Sequence, residues 1–220
     1  MDGARAVGVS LAVSDPDADV EGDVAGFAAC GVERGATRTA IVAAEAVALD
    51  PGAPENAHRG SCSCEGLNLM SPPLSAHPTE FAGWLVSYRT ALLAEVVAPF
   101  PAEDGWAQGG LGWRCEWRRI RSDPALWSVV LPAWRRLHEV TMWLERECMR
   151  RGYYLAVGFG AGDCELCEVC VTSELCVEPY AARPSLEALG VDVRRTREAA
   201  GWSGSAPPGQ VSLSGIVLIL

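Results

Sequence analysis

Four cysteines within thirteen residues constrain this chain more than any other feature. Asp163-Cys164-Glu165-Leu166-Cys167-Glu168-Val169-Cys170 reads C-x-x-C-x-x-C, and Cys176 follows after five intervening residues. Three thiolates at steps of three, in a tight loop, can converge on one face of an iron–sulfur cube, with a fourth arriving along a longer arc. The bacterial ferredoxin run is C-x-x-C-x-x-C-x-x-x-C-P. Here the first two intervals are kept, the last is longer, and the end reads Cys176-Val177-Glu178-Pro179. The longer interval lets all four thiols ligate one [4Fe–4S] cluster locally. Zinc is the alternative cofactor, although four-cysteine zinc sites generally use two separated C-x-x-C knuckles. Cys164, Cys167, Cys170 and Cys176 are therefore the candidate metal ligands.

The remaining cysteines are at 30, 62, 64, 115 and 148, giving nine in all. An odd count with one dense cluster does not resemble a secreted disulfide framework. In a reducing compartment such thiols bind metals or carry redox chemistry. The expected location is cytoplasmic: Met1-Asp2-Gly3-Ala4-Arg5 makes a poor secretory signal. The longest apolar runs also fall short of the about 20 residues a membrane helix needs. With 18 basic and 28 acidic residues the formal net charge is −10, so nucleic acid and anionic membrane are not expected partners. Every one of those basic residues is arginine, which excludes a Schiff-base or P-loop lysine.

With 49% hydrophobic residues, the 220-residue chain can build one sizeable core. Residues 1–24 read as a loose N-terminal extension and 25–220 as a single metal-binding domain. Residues 25–48 suit a helix and a short strand, and Asp50–Asn56 is turn chemistry. Phe81, Trp84, Leu85, Tyr88 and Leu92 form a helical stripe, predicting a helix over 79–96. A short strand is expected through Cys115–Ile120. Asp123-Pro124 reads as a cap and first turn opening a helix to Arg151, with Pro132 expected to kink or split it. Tyr153–Phe159 reads as a buried strand. The expected fold class is α+β: a small mixed sheet, including strands at 153–159 and 211–219, with packed helices and a cysteine-rich metal loop toward the C-terminus.

Residues 144–193 resemble an uncharacterised, cysteine-rich bacterial and archaeal family of predicted metal-binding proteins, a domain of unknown function. The resemblance rests on Leu144-Glu145-Arg146-Glu147, Gly152-Tyr153-Tyr154, Gly160–Cys167, Cys176–Pro179 and the Arg-Pro-Ser segment Ala182–Val193. Weaker similarity extends from about residue 40 to the C-terminus. The resemblance also implies an upstream cysteine loop ending in Cys-Pro-Pro. Cys62-Ser63-Cys64 through Ser71-Pro72-Pro73 is similar to it, with Ser71 where the cysteine would stand. Serine ligates soft metals poorly, so any second site would rest on Cys30, Cys62 and Cys64, with His58 or His77. The family brings no settled activity.

Other features have plainer readings. Cys115 and Cys148 suit core packing, His138 suits a helix position, and Trp84, Trp134 and Trp143 suit the core. Trp106, Trp113, Trp117 and Trp202 are open, some being able to shield a cluster. Arg114, Arg118, Arg119 and Arg121 read as a solvated strand edge, or as a docking patch for an acidic redox partner or anionic substrate. Arg183 and Asp192 are expected to brace the cysteine loop. No acid–base pair, G-x-S-x-G, Walker or dinucleotide signature is present. The functional expectation is electron transfer or redox chemistry on a small molecule. The alternatives are a zinc-stabilised binding module without redox activity and a thiol-based sulfur carrier.

Overall fold

The computed structural model describes residues 20–50, 52, 68, 70–71, 74–101, 106–107, 113–168, 170 and 176–220. The chain begins with helix α1 (Val20–Glu33), where Val24 and Phe27 are spaced to bury one face. Residues 20–24 are thus part of the packed structure. Strand β1 (Arg38–Ala43) follows.

Helix α2 is only Pro78–Leu85, where a helix through residue 96 is expected. The chain turns at 86–89, and residues 90–99 form strand β2 (Thr90–Pro99). The cause is double-sided burial: Leu92, Ala94 and Val96 enter one core, while Ala91 and Leu93 enter another. A continuously apolar segment carries no period to separate strand from helix. Trp84, expected in the core, is 51% exposed.

A two-residue strand, β3 (Trp106–Ala107), precedes helix α3 (Trp113–Ser122). The strand expected at 115–120 is therefore helical, with Trp117 and Ile120 buried one turn apart. Helix α4 (Pro124–Arg150) is capped by Asp123, which accepts from the amides of Ala125 and Leu126. It continues through Pro132 without splitting. Its expected stripe of Trp134, Leu137, Thr141, Leu144 and Cys148 is buried throughout. Strand β4 is shorter than expected, Val157–Phe159, because Ala156 closes a turn onto the Tyr153 carbonyl at 2.9 Å. Helix α5 (Val193–Ala199) and strand β5 (Gln210–Ile219) complete the chain.

The sheet is mixed. β2 is central, antiparallel to β1 on one side and to β5 on the other, the latter over ten residue pairs from Thr90↔Ile219 to Pro99↔Gln210. On the far side of β5, β4 pairs antiparallel and β3 parallel. Helices α1 and α4 cover one face around Leu137, Leu144 and Val217. Helix α2 and residues 186–193 cover the other around Phe81, Leu189 and Ile216. The architecture is α+β in three layers, driven by burial worth roughly 1.5–3 kcal/mol for each large apolar side chain. No helix among the described residues is long and apolar enough to cross a membrane.

Candidate metal centre

The cysteine loop leaves the end of β4 and returns at Arg183. Glu145 of α4 pins both ends. Its carboxylate accepts the Gly158 amide at 2.6 Å, and Arg183 forks onto it through Nη2 at 2.5 Å and Nε at 2.9 Å. A Cβ at residue 158 would lie 2.9 Å from that carboxylate, so glycine permits the approach. Arg183 also donates to the Tyr180 and Ala182 carbonyls. The expected bracing by Arg183 is present. Asp192 instead caps α5, accepting from the Arg195 amide.

Two tryptophans support the start of the loop. Trp134 donates its indole N–H to the Ala161 carbonyl at 2.7 Å. Trp117 lies against Gly162, whose φ of +63° suits glycine, and a Cβ there would meet the ring at 2.9 Å. The Trp117 indole also donates to Glu165 Oε1 at 3.1 Å, and Arg121 stands 3.5 Å from the same oxygen. The expected basic strand edge is therefore part of helix α3, with Arg121 held beside the loop. Burial raises the Glu165 pKa, opposed by the Trp117 hydrogen bond and the Arg121 charge.

The upstream segment meets the loop at Asp163, which is buried and accepts from Asn68 Nδ2 at 2.7 Å and Ser71 Oγ at 3.0 Å. Ser71 thus occupies its position as a hydrogen-bond donor to the residue preceding Cys164. Asp163 and Asn68 lie within segments that carry the family resemblance, and beyond the adjacency of Asp163 to Cys164 nothing in the sequence marks their pairing. Glu145 lies in the Leu144–Glu147 segment, where only a family resemblance singles it out.

Cys164, Cys167, Cys170 and Cys176 all line one pocket, walled also by Asn68, Leu74 and Ala182. Burial pushes the Cys164 thiol up to about 11, and the neighbouring Cys170 and Cys167 add to the rise. A hydrogen bond from the Leu166 backbone amide to the thiolate pulls the other way. Burial also raises Cys170, with Cys176 and Cys167 contributing. The donor set is all sulfur, suited to zinc or an iron–sulfur cluster. Among the described residues, no group of three or more His, Cys, Asp or Glu side chains is placed to hold a metal ion as it stands. The thiols are neighbours around one pocket, and a metal would have to draw them together.

Of the second-site residues, Cys30 lies half-buried on α1, while Cys62, Cys64 and His58 lie outside the described residues. His77 caps α2, its Nδ1 accepting from the Thr79 amide at 3.3 Å. Cys148 is buried in the core, as expected, and desolvation pushes its thiol up to about 12.

A family model described as "Predicted metal-binding protein (DUF2284)" matches residues 40–219. No curated protein and no solved structure matches the chain.

Proposed function

This chain belongs to the DUF2284 family of predicted metal-binding proteins, and from that premise we propose that it is an iron–sulfur protein. In this reading Cys164, Cys167, Cys170 and Cys176 hold a [4Fe–4S] cluster for electron transfer or for redox chemistry on a small molecule. The observation that carries it is the single pocket lined by all four thiols. The triple step of the first three cysteines suits a cube better than paired zinc knuckles. The Leu166 amide opposes the rise that burial causes in the Cys164 pKa, and hydrogen bonds to sulfur are one means of tuning a cluster's potential.

A cluster bound there supplies one-electron oxidation and reduction. The protein's own residues fix the loop: Glu145 and Arg183 hold its ends, and Trp117 and Trp134 back its first turn. Arg121, 47% exposed at its side chain, offers positive charge beside the pocket to an acidic redox partner.

The test is anaerobic titration of the purified protein with dithionite, followed by visible absorbance and electron paramagnetic resonance. The expected result is bleaching of a visible band and a paramagnetic signal in the reduced state. A metal-loaded protein that is colourless and unchanged by dithionite would point to a zinc-stabilised module. A persulfide adduct in the intact mass would point to a sulfur carrier.

A further inference from the structure

The sheet ends at β1, which pairs with β2 on one side and, among the described residues, with no strand on the other. The Ala44 amide donates to the Arg89 carbonyl at 2.9 Å, continuing the register in which Ala43 faces Thr90. Antiparallel bonding alternates along a strand. Residues 40 and 42 therefore bond to β2, and the amides and carbonyls of Thr39, Ile41 and Ala43 turn outward. Ile41 is 45% exposed and Ala43 is exposed, so the edge is open. Open edges are commonly blunted by lysine, proline or an inward charge, and Thr39-Ala40-Ile41-Val42-Ala43 carries none of these. Helix α1 lies over β1, where the Thr39 hydroxyl donates to the Ala28 carbonyl at 2.9 Å. Asp23 faces the end of α4, accepting from Arg151 at 2.9 Å and from Tyr153 at 3.1 Å. At 3.6 residues per turn, Ala25, Ala28 and Val32 lie on the opposite side of α1, toward the free edge. Val32 is 45% exposed and Ala25 is exposed.

We propose that this edge pairs antiparallel with the same edge of a second copy, Ile41 opposite Ile41, with the two α1 flanks packed above. The outward groups are symmetric about Ile41, so Thr39 meets Ala43 and about six main-chain hydrogen bonds form. That self-complementarity favours a second copy over an unrelated strand, whose register the edge would not fix. Charge favours it as well. At a net charge of −10 most of the surface repels its own copy, whereas residues 39–43 are neutral. The charges flanking them, Arg38 and Glu45, have opposite signs, and the two-fold sets Arg38 opposite Ala44, the neighbour of Glu45. Glu45 is exposed and makes no ion pair among the described residues. Ala25 and Ala28 are small enough to let the two helices approach to the about 8–10 Å of close packing. The cysteine loops leave β4 at the other edge of the sheet, so both face outward in the dimer, whatever metal they hold.

The experiment is sedimentation velocity of the full chain, anaerobic and in reductant, from about 5 to 200 µM. The expected result is a reversible monomer–dimer equilibrium within that range. Ile41→Lys sets like charges directly opposite each other at the two-fold, and Val32→Lys charges the helix flank. Each is expected to raise the dissociation constant by about tenfold or more. Tyr180→Lys, 89% exposed beside the cysteine loop, is expected to match wild type. Amide hydrogen exchange supplies the second readout and shows that the variants still fold. Ala40 and Val42 should be protected in every variant, while Thr39, Ile41 and Ala43 should be protected in the dimer and exposed in Ile41→Lys. A monomer throughout the range would overturn the proposal, as would a dimer unmoved by both substitutions. Protection of Thr39, Ile41 and Ala43 in a monomer would also overturn it, because another segment of the same chain would then hold the edge.

Discussion

Replacing Glu145 with glutamine keeps its size and removes its charge, leaving Arg183 without a counter-ion at 18% exposure. Removing one partner of a fully buried pair costs about 3–5 kcal/mol, and the residual exposure of Arg183 lowers the expectation to about 2–3 kcal/mol. Urea denaturation of the metal-free protein measures it. The same substitution leaves one acceptor oxygen where two served Gly158 and Arg183 and so loosens the Arg183 end of the cysteine loop; zinc affinity in a competition assay is expected to fall about 10–100-fold, as for other outer-shell changes. At this scale the gathering of the four cysteines around one pocket was legible, because their spacing is local. Their supports were less so. Arg183 could be singled out by its place just past the cluster. Asn68 comes from 95 residues upstream of Asp163, and no local pattern announces such a pairing. Ser71 stood out only as a departure from the family's cysteine; its bond to Asp163 shows that the upstream segment packs against the cysteine loop.

Helix α4 is the element most clearly written in the sequence, with a cap, a proline in its first turn and an apolar stripe along its length. His138 sits on it, stacked on Trp134 at 5.1 Å. Burial lowers its pKa, Arg183 adds to the fall, and Glu139 and Glu145 oppose it. The native state therefore binds this proton less readily than the unfolded chain, whose histidine titrates near about 6.5. Stability from this group is present above that value and is lost as pH falls below it. Unfolding midpoints at pH 7.5 and 5.5 should show a smaller drop in His138→Gln than in wild type; an equal drop would exclude the histidine as the source. The stretch from Phe81 to Leu92 misleads for a physical reason. Its helical spacing is genuine up to Leu85, but Leu92 belongs to a strand buried on both faces, where spacing says nothing. Residues 115–120 mislead in the opposite sense: Cys115 and Trp117 are spaced as on a strand, while Trp117 and Ile120 are spaced as on a helix, and so short a span does not decide between the periods. The His77-Pro78-Thr79-Glu80 capping box marks where α2 begins and says nothing of where it ends.

Across the whole molecule, two polar anchors tie the layers to the sheet. Glu145 and Arg183 form one. The other centres on a buried carboxylate: Glu95 on β2 accepts from Arg197 of α5 and from the partly exposed Arg38 of β1, while Ser212 of β5 joins the same carboxylate. Arg197 also donates to the Ser203 carbonyl at 3.0 and 2.9 Å. Arg197 and Glu95 are 1% and 0% exposed at their side chains, and Arg38 still pairs with Glu95 once Arg197 is gone, so Arg197→Met should destabilise the fold by about 2–3 kcal/mol, below the cost of a wholly uncompensated buried charge. The double variant Glu95→Leu/Arg197→Met is expected to recover part of that, because the buried, half-compensated carboxylate is gone and Arg38, 40% exposed, can turn to solvent. Denaturant midpoints of both variants check it, and a double variant no better than the single would contradict it. The net charge and the α+β class were readable from sequence. The order β1-β2-β5 with β4 and β3 beyond was not, since it depends on a β2–β5 pairing between segments more than a hundred residues apart.

The central claim is that Cys164, Cys167, Cys170 and Cys176 hold one iron–sulfur cluster. Its most direct test is the iron, sulfide and zinc content of anaerobically purified protein, read beside its absorbance spectrum and a Cys167→Ser variant. The prediction is about four irons and four sulfides per chain with a broad band near about 400 nm, all lost in the variant. About one zinc per chain, no visible band and a destabilised variant would contradict it, leaving a structural metal in place of a redox centre.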